Sequence, residues 1–350
     1  MTTTTSPSAA AASRACTFRV GLSADLRPPA GSDLPTSWGD IGLDALVAAG
    51  AELTFLEPDD GVLTAAHVDG YDAVLFAAPG ITAETVSGPN PPRHLARFGV
   101  GLDAVDVEAC TRAGVAVTIT PDGARRAVAT AALTLVLSVL QNVAAKDAVV
   151  RHGDWSDRLS LMGRGLTGLT VMTIGLGNVA GELFGLLAPF GTTNLAFDPH
   201  RPPHTLGDLD VTLVDLEDGL RRADVVVVTA ALTPETHHLL DAARLALLPR
   251  GAVVVNVARG PIVETDALVE ALRSGHLGGA GLDVFEVEPL PADHPLTQLP
   301  RVVLTPHAIA WTTEMARSNG DSCVRAILAV REGRTPDFLA DRSVAVRAPR

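Results

Sequence analysis

Thr170-Val171-Met172-Thr173-Ile174-Gly175-Leu176-Gly177-Asn178-Val179-Ala180-Gly181 is the stretch that decides the fold. Thr170–Ile174 is a short apolar run that reads as a strand, and a helix-length segment follows it to about Phe190. Gly175 permits a tight turn. Gly177 lets a pyrophosphate approach the backbone, and Ala180 stands where a third glycine usually lies, at a close helix–strand contact that tolerates alanine. The helix start, at Asn178 and Val179, turns free N–H groups toward phosphate. The next strand, Asn194–Phe197, ends in Asp198, 23 residues after Gly175 (198 − 175), close to the roughly 20 expected for the acid that binds the ribose. A carboxylate there accepts a hydrogen bond from a ribose 2′-hydroxyl and repels a 2′-phosphate. The order strand, turn, helix, strand, acid therefore predicts NAD binding in preference to NADP, a preference that His200 and Arg201 soften.

The same alternation extends both ways along the chain. Phe18–Ala24, Ala51–Leu56, Asp72–Ala77, Val115–Ile119, Asp224–Thr229, Ala252–Val257 and Gly281–Phe285 read as further strands. Val225 to Val228 is an unbroken apolar run, as expected for a strand buried on both faces of a parallel sheet. Helix-length segments lie between, such as Asp266–Ser274 with Thr265 as its cap. Strand–helix alternation throughout means an α/β architecture. A fingerprint in mid-chain argues against an eight-fold barrel, and no internal repeat is visible. A chain of 350 residues predicts two domains rather than one.

Composition narrows the class. The apolar share is 47%, the charged share 19% and the net charge −13, which is globular rather than disordered and disfavours a reader of nucleic acid. Cys16, Cys110 and Cys323 are odd in number and lack metal spacing, arguing against disulfides or a cysteine-rich metal site and for a reducing cytoplasm. Lys146 is the only lysine among 27 cationic side chains, so arginine abundance reflects coding bias. Residues 1–16 lack the apolar stretch of a secretory signal and read as a disordered tail. Ala127–Ala145 is uncharged and near membrane-spanning length. Its stripe of Thr130, Thr134, Ser138 and Gln141 on one helical face favours a buried or subunit-interface helix over a membrane span.

Three residues beyond strand ends carry complementary chemistry. Arg259, in Val257-Ala258-Arg259-Gly260, offers a rigid fork for a carboxylate and its neighbouring carbonyl. His307, in Thr305-Pro306-His307, exchanges protons near neutral pH. Glu288, in Phe285-Glu286-Val287-Glu288-Pro289, is a carboxylate that favours the imidazolium when beside it. On a dinucleotide-binding frame, where ligands sit beyond the carboxyl ends of strands, the three together suit hydride reduction of a 2-oxo acid.

Several strings resemble the D-isomer-specific 2-hydroxyacid dehydrogenase family of phosphoglycerate, glyoxylate and hydroxypyruvate-type enzymes. They are Arg97–Asp103, Gly175–Ala180, Leu232–Thr236, Val257–Val263, Asp283–Phe285 with Glu288-Pro289, and Thr305–His307, in order between about residues 18 and 335. The resemblance implies two Rossmann-like, doubly wound domains with a cleft between them. The substrate domain would take 17–121 and 308–350, and the NAD-binding domain 122–307. It gives Arg259, Glu288 and His307 the catalytic roles argued above, and the N–H groups of Val100 and Gly101, with Arg259, the substrate carboxylate. Ala230, Thr236, Ala258 and Asp283 would join Gly175, Gly177, Asn178, Val179 and Asp198 around the coenzyme, Asp283 at the nicotinamide amide. The helix after Asp122 would pack in a homodimer. Departures are Ala180 for glycine, Thr130 for a usual glutamate, Leu169 for lysine and Ala310 for glycine.

Other residues are set aside or left open. His237-His238 has no matching acid and no shared helical face, so no metal is assigned. His67, His94, His152 and His204 read as loop or surface residues. Trp311 either walls a substrate pocket or packs in the core. Arg125 and Arg126, after the strand end Thr120-Pro121, either receive a second anionic group of the substrate or form a solvated pair. A dinucleotide-sensing, corepressor-like interaction protein on the same scaffold is the alternative to an NAD-dependent enzyme. No nucleic-acid or membrane partner is expected.

Overall fold

The structure, a computed structural model, describes residues 17–153, 155–156, 158–202, 207, 209–344 and 347. The expected tail, Cys16 and His204 lie outside them. The chain divides into two compact units, one of residues up to Pro121 together with those from Ala316, the other of Asp122–Met315.

The first unit contains β1 (Phe18–Ser23), β2 (Ala51–Leu56), β3 (Val62–Leu63), β4 (Ala73–Phe76), β5 (Gly80–Ile81), β6 (His94–Arg97) and β7 (Ala116–Thr118). Five of these form a parallel sheet in the order β2-β1-β4-β6-β7. Strand order reverses between β1 and β4, the 2-1-3-4-5 doubly wound arrangement. β4 is wholly buried. Phe18, Val20 and Leu22 of β1 pack with Cys323, Val324 and Ile327 of the helix Thr313–Arg331, so the chain's second half completes the core of its first.

The second unit contains β8 (Thr170–Ile174), β9 (Thr193–Phe197), β10 (Thr212–Leu213), β11 (Val225–Val228), β12 (Val253–Asn256), β13 (Gly279–Leu282) and β14 (Val302–Leu304). All are parallel in the order β10-β9-β8-β11-β12-β13-β14. This is the 3-2-1-4-5-6 order of a dinucleotide-binding sheet with one strand added. Its switch point lies between β8 and β11. Two apolar clusters cover its faces, one around Met172, Val226 and Val254, the other around Val171, Val225 and Val255.

Four expectations are corrected. β13 begins and ends earlier than the expected Gly281–Phe285, because a glycine strand has poor intrinsic propensity and is selected for close approach. A Cβ at Gly279 would lie 2.6 Å from Val139 Cγ1, and one at Gly281 2.9 Å from Leu135 Cβ, so the helix Pro121–Leu140 rests on bare backbone. The uncharged stretch 127–145 is two helices, Pro121–Leu140 and Val143–His152, joined through Asn142 at φ 52°. The first ends where Arg164 N–H takes the Leu140 carbonyl at 2.9 Å and Gln141 Nε2 donates to Arg164 O at 2.8 Å. Thr265 starts the helix Thr265–Arg273 rather than capping it. The second boundary between units falls at Met315/Ala316 rather than at 307/308. Ala308 and Ile309 are tied by their N–H groups to Asp283 Oδ1 at 2.9 and 3.1 Å, and Ile309 packs in the second unit's core.

By length and a mean hydropathy of 1.4 the helix Pro121–Leu140 resembles a membrane span, yet half of that window is buried within the protein. Thr130, Thr134 and Gln141 face outward. Thr130 and Thr134 hydroxyls donate to the carbonyls of Arg126 and Thr130 at 2.9 and 2.8 Å.

Candidate active site

The turn after β8 is built on a glycine that nothing else could replace. Gly175 adopts φ 90°, and a Cβ there would sit 2.9 Å from both N and Cα of Ala230 at the end of β11. The two strands on either side of the switch point thus touch backbone to backbone. Thr229 Oγ1 closes the turn by donating to the carbonyls of Ile174 and Gly175 at 3.1 and 3.0 Å. Gly177 differs in kind: a Cβ there meets nothing within 4 Å. Its lack of a side chain leaves open space at the head of the helix Asn178–Leu187, where a pyrophosphate needs to reach N–H groups. Ala180 is fully buried in the core beneath. Asp198 Oδ2 accepts from Leu176 N at 2.8 Å and Oδ1 from His200 N at 2.9 Å. One acid therefore fastens the glycine turn to the end of β9 and keeps a second lone pair on each oxygen for a ribose. Arg201 Nη1 donates to Leu176 O at 3.3 Å, so its cation lies beside the same turn. These features fit NAD. Thr236 is spent locally, donating to Ala231 O at 2.8 Å and accepting from Thr233 N at 2.7 Å.

The chemistry-bearing loops follow β12, β13 and β14. Asn256, almost fully buried at the end of β12, accepts from Ala258 N at 3.0 Å through Oδ1 and donates to Arg259 O at 2.9 Å through Nδ2. One amide thereby shapes the loop that presents Arg259, whose Nη1 donates to Ala258 O at 2.6 Å. At Gly260 a Cβ would overlap the carbonyl of Phe285 and the nitrogen of Glu286. The Arg259 loop and the Glu288 loop are in backbone contact there.

Glu288 and His307 meet directly: Glu288 Oε2 lies 2.8 Å from His307 Nδ1, and Oε1 accepts from Phe285 N at 2.9 Å. The carboxylate is held from behind and presents its other oxygen to the ring. His307 has φ 53°, an uncommon left-handed backbone for a non-glycine residue. Its N–H donates to Asp283 O at 2.8 Å, and Asp283 Oδ1 takes Thr305 Oγ1 at 2.7 Å besides the two amides already named. Asp283, 6% exposed, thus organises the His307 loop, a role its motif did not reveal.

In the first unit, Arg97 folds over the turn that follows β6. Its Nε and Nη1 donate to the carbonyls of Gly101 at 3.2 Å and Phe98 at 2.9 Å. With the carbonyls pinned, the N–H groups of Val100 and Gly101 donate to no partner among the described residues.

Several other readings change. Both Arg125 and Arg126 pair with Glu182, at 3.3 and 3.0 Å on its two oxygens, which favours the structural alternative for them. His94 is not a surface residue: it is wholly buried in β6, bonded through Nε2 to Thr118 Oγ1 at 2.8 Å. Burial first, and the neighbouring Arg93 second, hold its pKa down at about 3. Trp311 is 57% exposed and does not pack in the core. His238 does have an acid: its Nε2 lies 2.5 Å from Glu286 Oε1. Sequence distance hid that partner, and Asn256 and Gly260 were likewise passed over, although a lone amide ending a run of valines was a legible signal. Among the described residues no group of three or more His, Cys, Asp or Glu side chains could hold a metal.

Comparison with known proteins agrees with the fold. Residues 133–308 match the family model described as D-isomer specific 2-hydroxyacid dehydrogenase, NAD binding domain. The glyoxylate reductase of Thermofilum pendens is 34% identical over 285 residues, 79% of this chain and 84% of that protein. The D-3-phosphoglycerate dehydrogenase of Mycobacterium leprae is 37% identical over 291 residues, covering 83% of this chain but 54% of that one, so the match spans about half of its length. A crystal structure of a Thermus thermophilus protein superimposes with a TM-score of 0.80 at 35% identity, over 93% of this chain and 100% of the other. None of these supports the corepressor-like alternative. The chain belongs to the D-isomer-specific 2-hydroxyacid dehydrogenases, NAD-dependent enzymes that interconvert 2-oxo acids and D-2-hydroxy acids.

Proposed function

We propose that Arg259, Glu288 and His307 carry the reduction, with a small 2-oxo acid bearing one carboxylate as substrate. The observation behind this is the 2.8 Å contact between Glu288 Oε2 and His307 Nδ1. A proton on Nδ1 shared with the carboxylate leaves Nε2 as the nitrogen that gives its proton to the substrate oxygen. NADH, when bound, supplies the hydride to the carbonyl carbon. Arg259 polarises that carbonyl and binds the neighbouring carboxylate. The charge developing on oxygen is met by the proton from His307, and Glu288 stabilises the imidazolium from which it comes. Gly175, Gly177, Asn178, Val179, Asp198, Ala230, Thr236, Ala258 and Asp283 line the coenzyme in this reading. Arg125 and Arg126, already sharing Glu182, give no support to a second anionic group, so glyoxylate is the first substrate to try.

The protein works in this reading as a cytoplasmic homodimer, which would cover the outward stripe on Pro121–Leu140 and the exposed Val143, Val150, Leu159 and Met162. The test is His307→Ala. Oxidation of NADH with glyoxylate, followed at 340 nm, should fall by about 10²–10⁴-fold, while NADH titration by fluorescence stays within about threefold. A variant retaining a tenth of the turnover would remove His307 from the chemistry.

A further inference from the structure

The His238–Glu286 contact closes a ring of backbone links. His238 N donates to Pro261 O at 2.7 Å and Leu240 N to Ile262 O at 3.0 Å, which stitches the segment after β11 to the one that follows Arg259. Gly260 in turn lies against the Phe285–Glu286 peptide with no room for a Cβ. Phe285 N holds Glu288 Oε1 at 2.9 Å. His238 reaches across this stack to Glu286 Oε1 at 2.5 Å, with its own side chain 40% exposed and that of Glu286 27%. The ring of His237 lies over it at 4.1 Å between centroids. His238 keeps φ 50°, a left-handed conformation that is strained for a non-glycine residue and persists where its surroundings demand it. Glycine would be the easier residue there, so the imidazole is retained against the backbone's preference.

We propose that His238 and Glu286 are a positioning pair for the reduction: they hold the Phe285–Glu288 segment so that Glu288 faces His307. The proposal rests on Glu288 and His307 being the catalytic pair. Its consequence is that the segment containing Thr236, on the coenzyme side, is mechanically joined to the acid that steadies the proton donor. In this proposal neither His238 nor Glu286 contacts substrate. Their effect passes through Glu288, and that route is what an experiment reads.

Five variants decide it: His238→Gly, His238→Gln, Glu286→Ala, Glu288→Gln, and His238→Gly combined with Glu288→Gln. Kinetics with glyoxylate and NADH should show kcat lowered about tenfold in His238→Gly and Glu286→Ala, as expected when a catalytic group is misplaced by a fraction of an ångström, with KM for NADH within about twofold. His238→Gln, whose amide can still donate to Glu286, should stay within about threefold of the parent. In the Glu288→Gln background, His238→Gly should cause no further loss, because the residue through which it acts is already gone. Equal losses in both backgrounds would make the pair merely structural and overturn the proposal, as would an unchanged kcat in His238→Gly and Glu286→Ala. Should Glu288→Gln and His307→Ala both keep their turnover, the catalytic reading falls instead. Collapse of those two with intact His238 and Glu286 variants refutes the positioning role alone.

Discussion

Gly260→Ala tests whether the Arg259 and Glu288 loops act as one body. The added methyl would fall on the Phe285 carbonyl and the Glu286 nitrogen. Carbon atoms pack at about 3.5–4.0 Å, so relief requires the Phe285–Glu286 peptide, or the Arg259 loop, to move by more than about 1 Å. Glu288 is tied to that peptide through Phe285 N at 2.9 Å and to His307 at 2.8 Å. A shift of about 1 Å carried along this path stretches the second contact past hydrogen-bonding range. Misplacement on that scale costs on the order of 10²-fold in rate, or about 2.7 kcal/mol of transition-state stabilisation. Overpacking adds roughly 1–3 kcal/mol against folding. The assay is kcat/KM for glyoxylate at saturating NADH, beside urea unfolding followed by circular dichroism. Gly177→Ala is the control, since its methyl meets no protein atom: it should unfold like the parent and lose NADH affinity instead. Were Gly260→Ala to keep kcat/KM within threefold of the parent, the loops would be independent and the positioning argument wrong.

Asp198→Ala should narrow the preference for NADH over NADPH, expected at tenfold or more in the parent, about 1.4 kcal/mol; comparable efficiency with both coenzymes in the unmodified protein would refute the role of Asp198. Light scattering at micromolar concentration should give a dimer, and Leu159→Ser with Met162→Ser should shift it toward monomer. A monomeric parent would leave those exposed side chains without an explanation. His94, neutral in the folded protein down to about pH 3 but titrating near 6.5 when unfolded, makes the unfolded chain bind the extra proton between those values. Its contribution is therefore complete well above pH 6.5 and falls with pH, on the order of 2 kcal/mol from 6.5 to 4.5. Urea midpoints should fall more steeply over that range in the parent than in His94→Gln, and parallel slopes would rule the imidazole out.

Sequence legibility followed a physical line. Strands buried on both faces were readable because apolar side chains suit them: Thr170–Ile174 has the bounds its composition predicts, and the run Val225–Val228 is buried throughout. β13 was misplaced because its glycines answer to the helix above rather than to strand propensity. β6 was missed since His94 and Arg97 look like surface residues in a string of letters. Only the fold shows that His94 is bonded to Thr118 on the adjacent strand, and that Arg97 turns back on its own loop.

The candidate site divides in the same way. Residues that would meet ligand stand in short motifs at strand ends, so Gly175, Asp198, Arg259, Glu288 and His307 could be named from neighbours in the chain. The residues that hold them carry no such motif: Asn256 shapes the loop just ahead of it through Ala258 and Arg259, Asp283 gathers the 305–309 segment, and Glu286 is 48 residues from His238. Asn256, Gly260, Asp283 and the His238–Glu286 pair all bear on backbone position. If that division holds, substitutions at the hidden residues should change kcat through geometry while leaving the chemistry's identity intact. Substitutions at the motif residues should remove a reaction step or a binding contact outright. The His238 and Gly260 variants belong to the first class, and His307→Ala to the second.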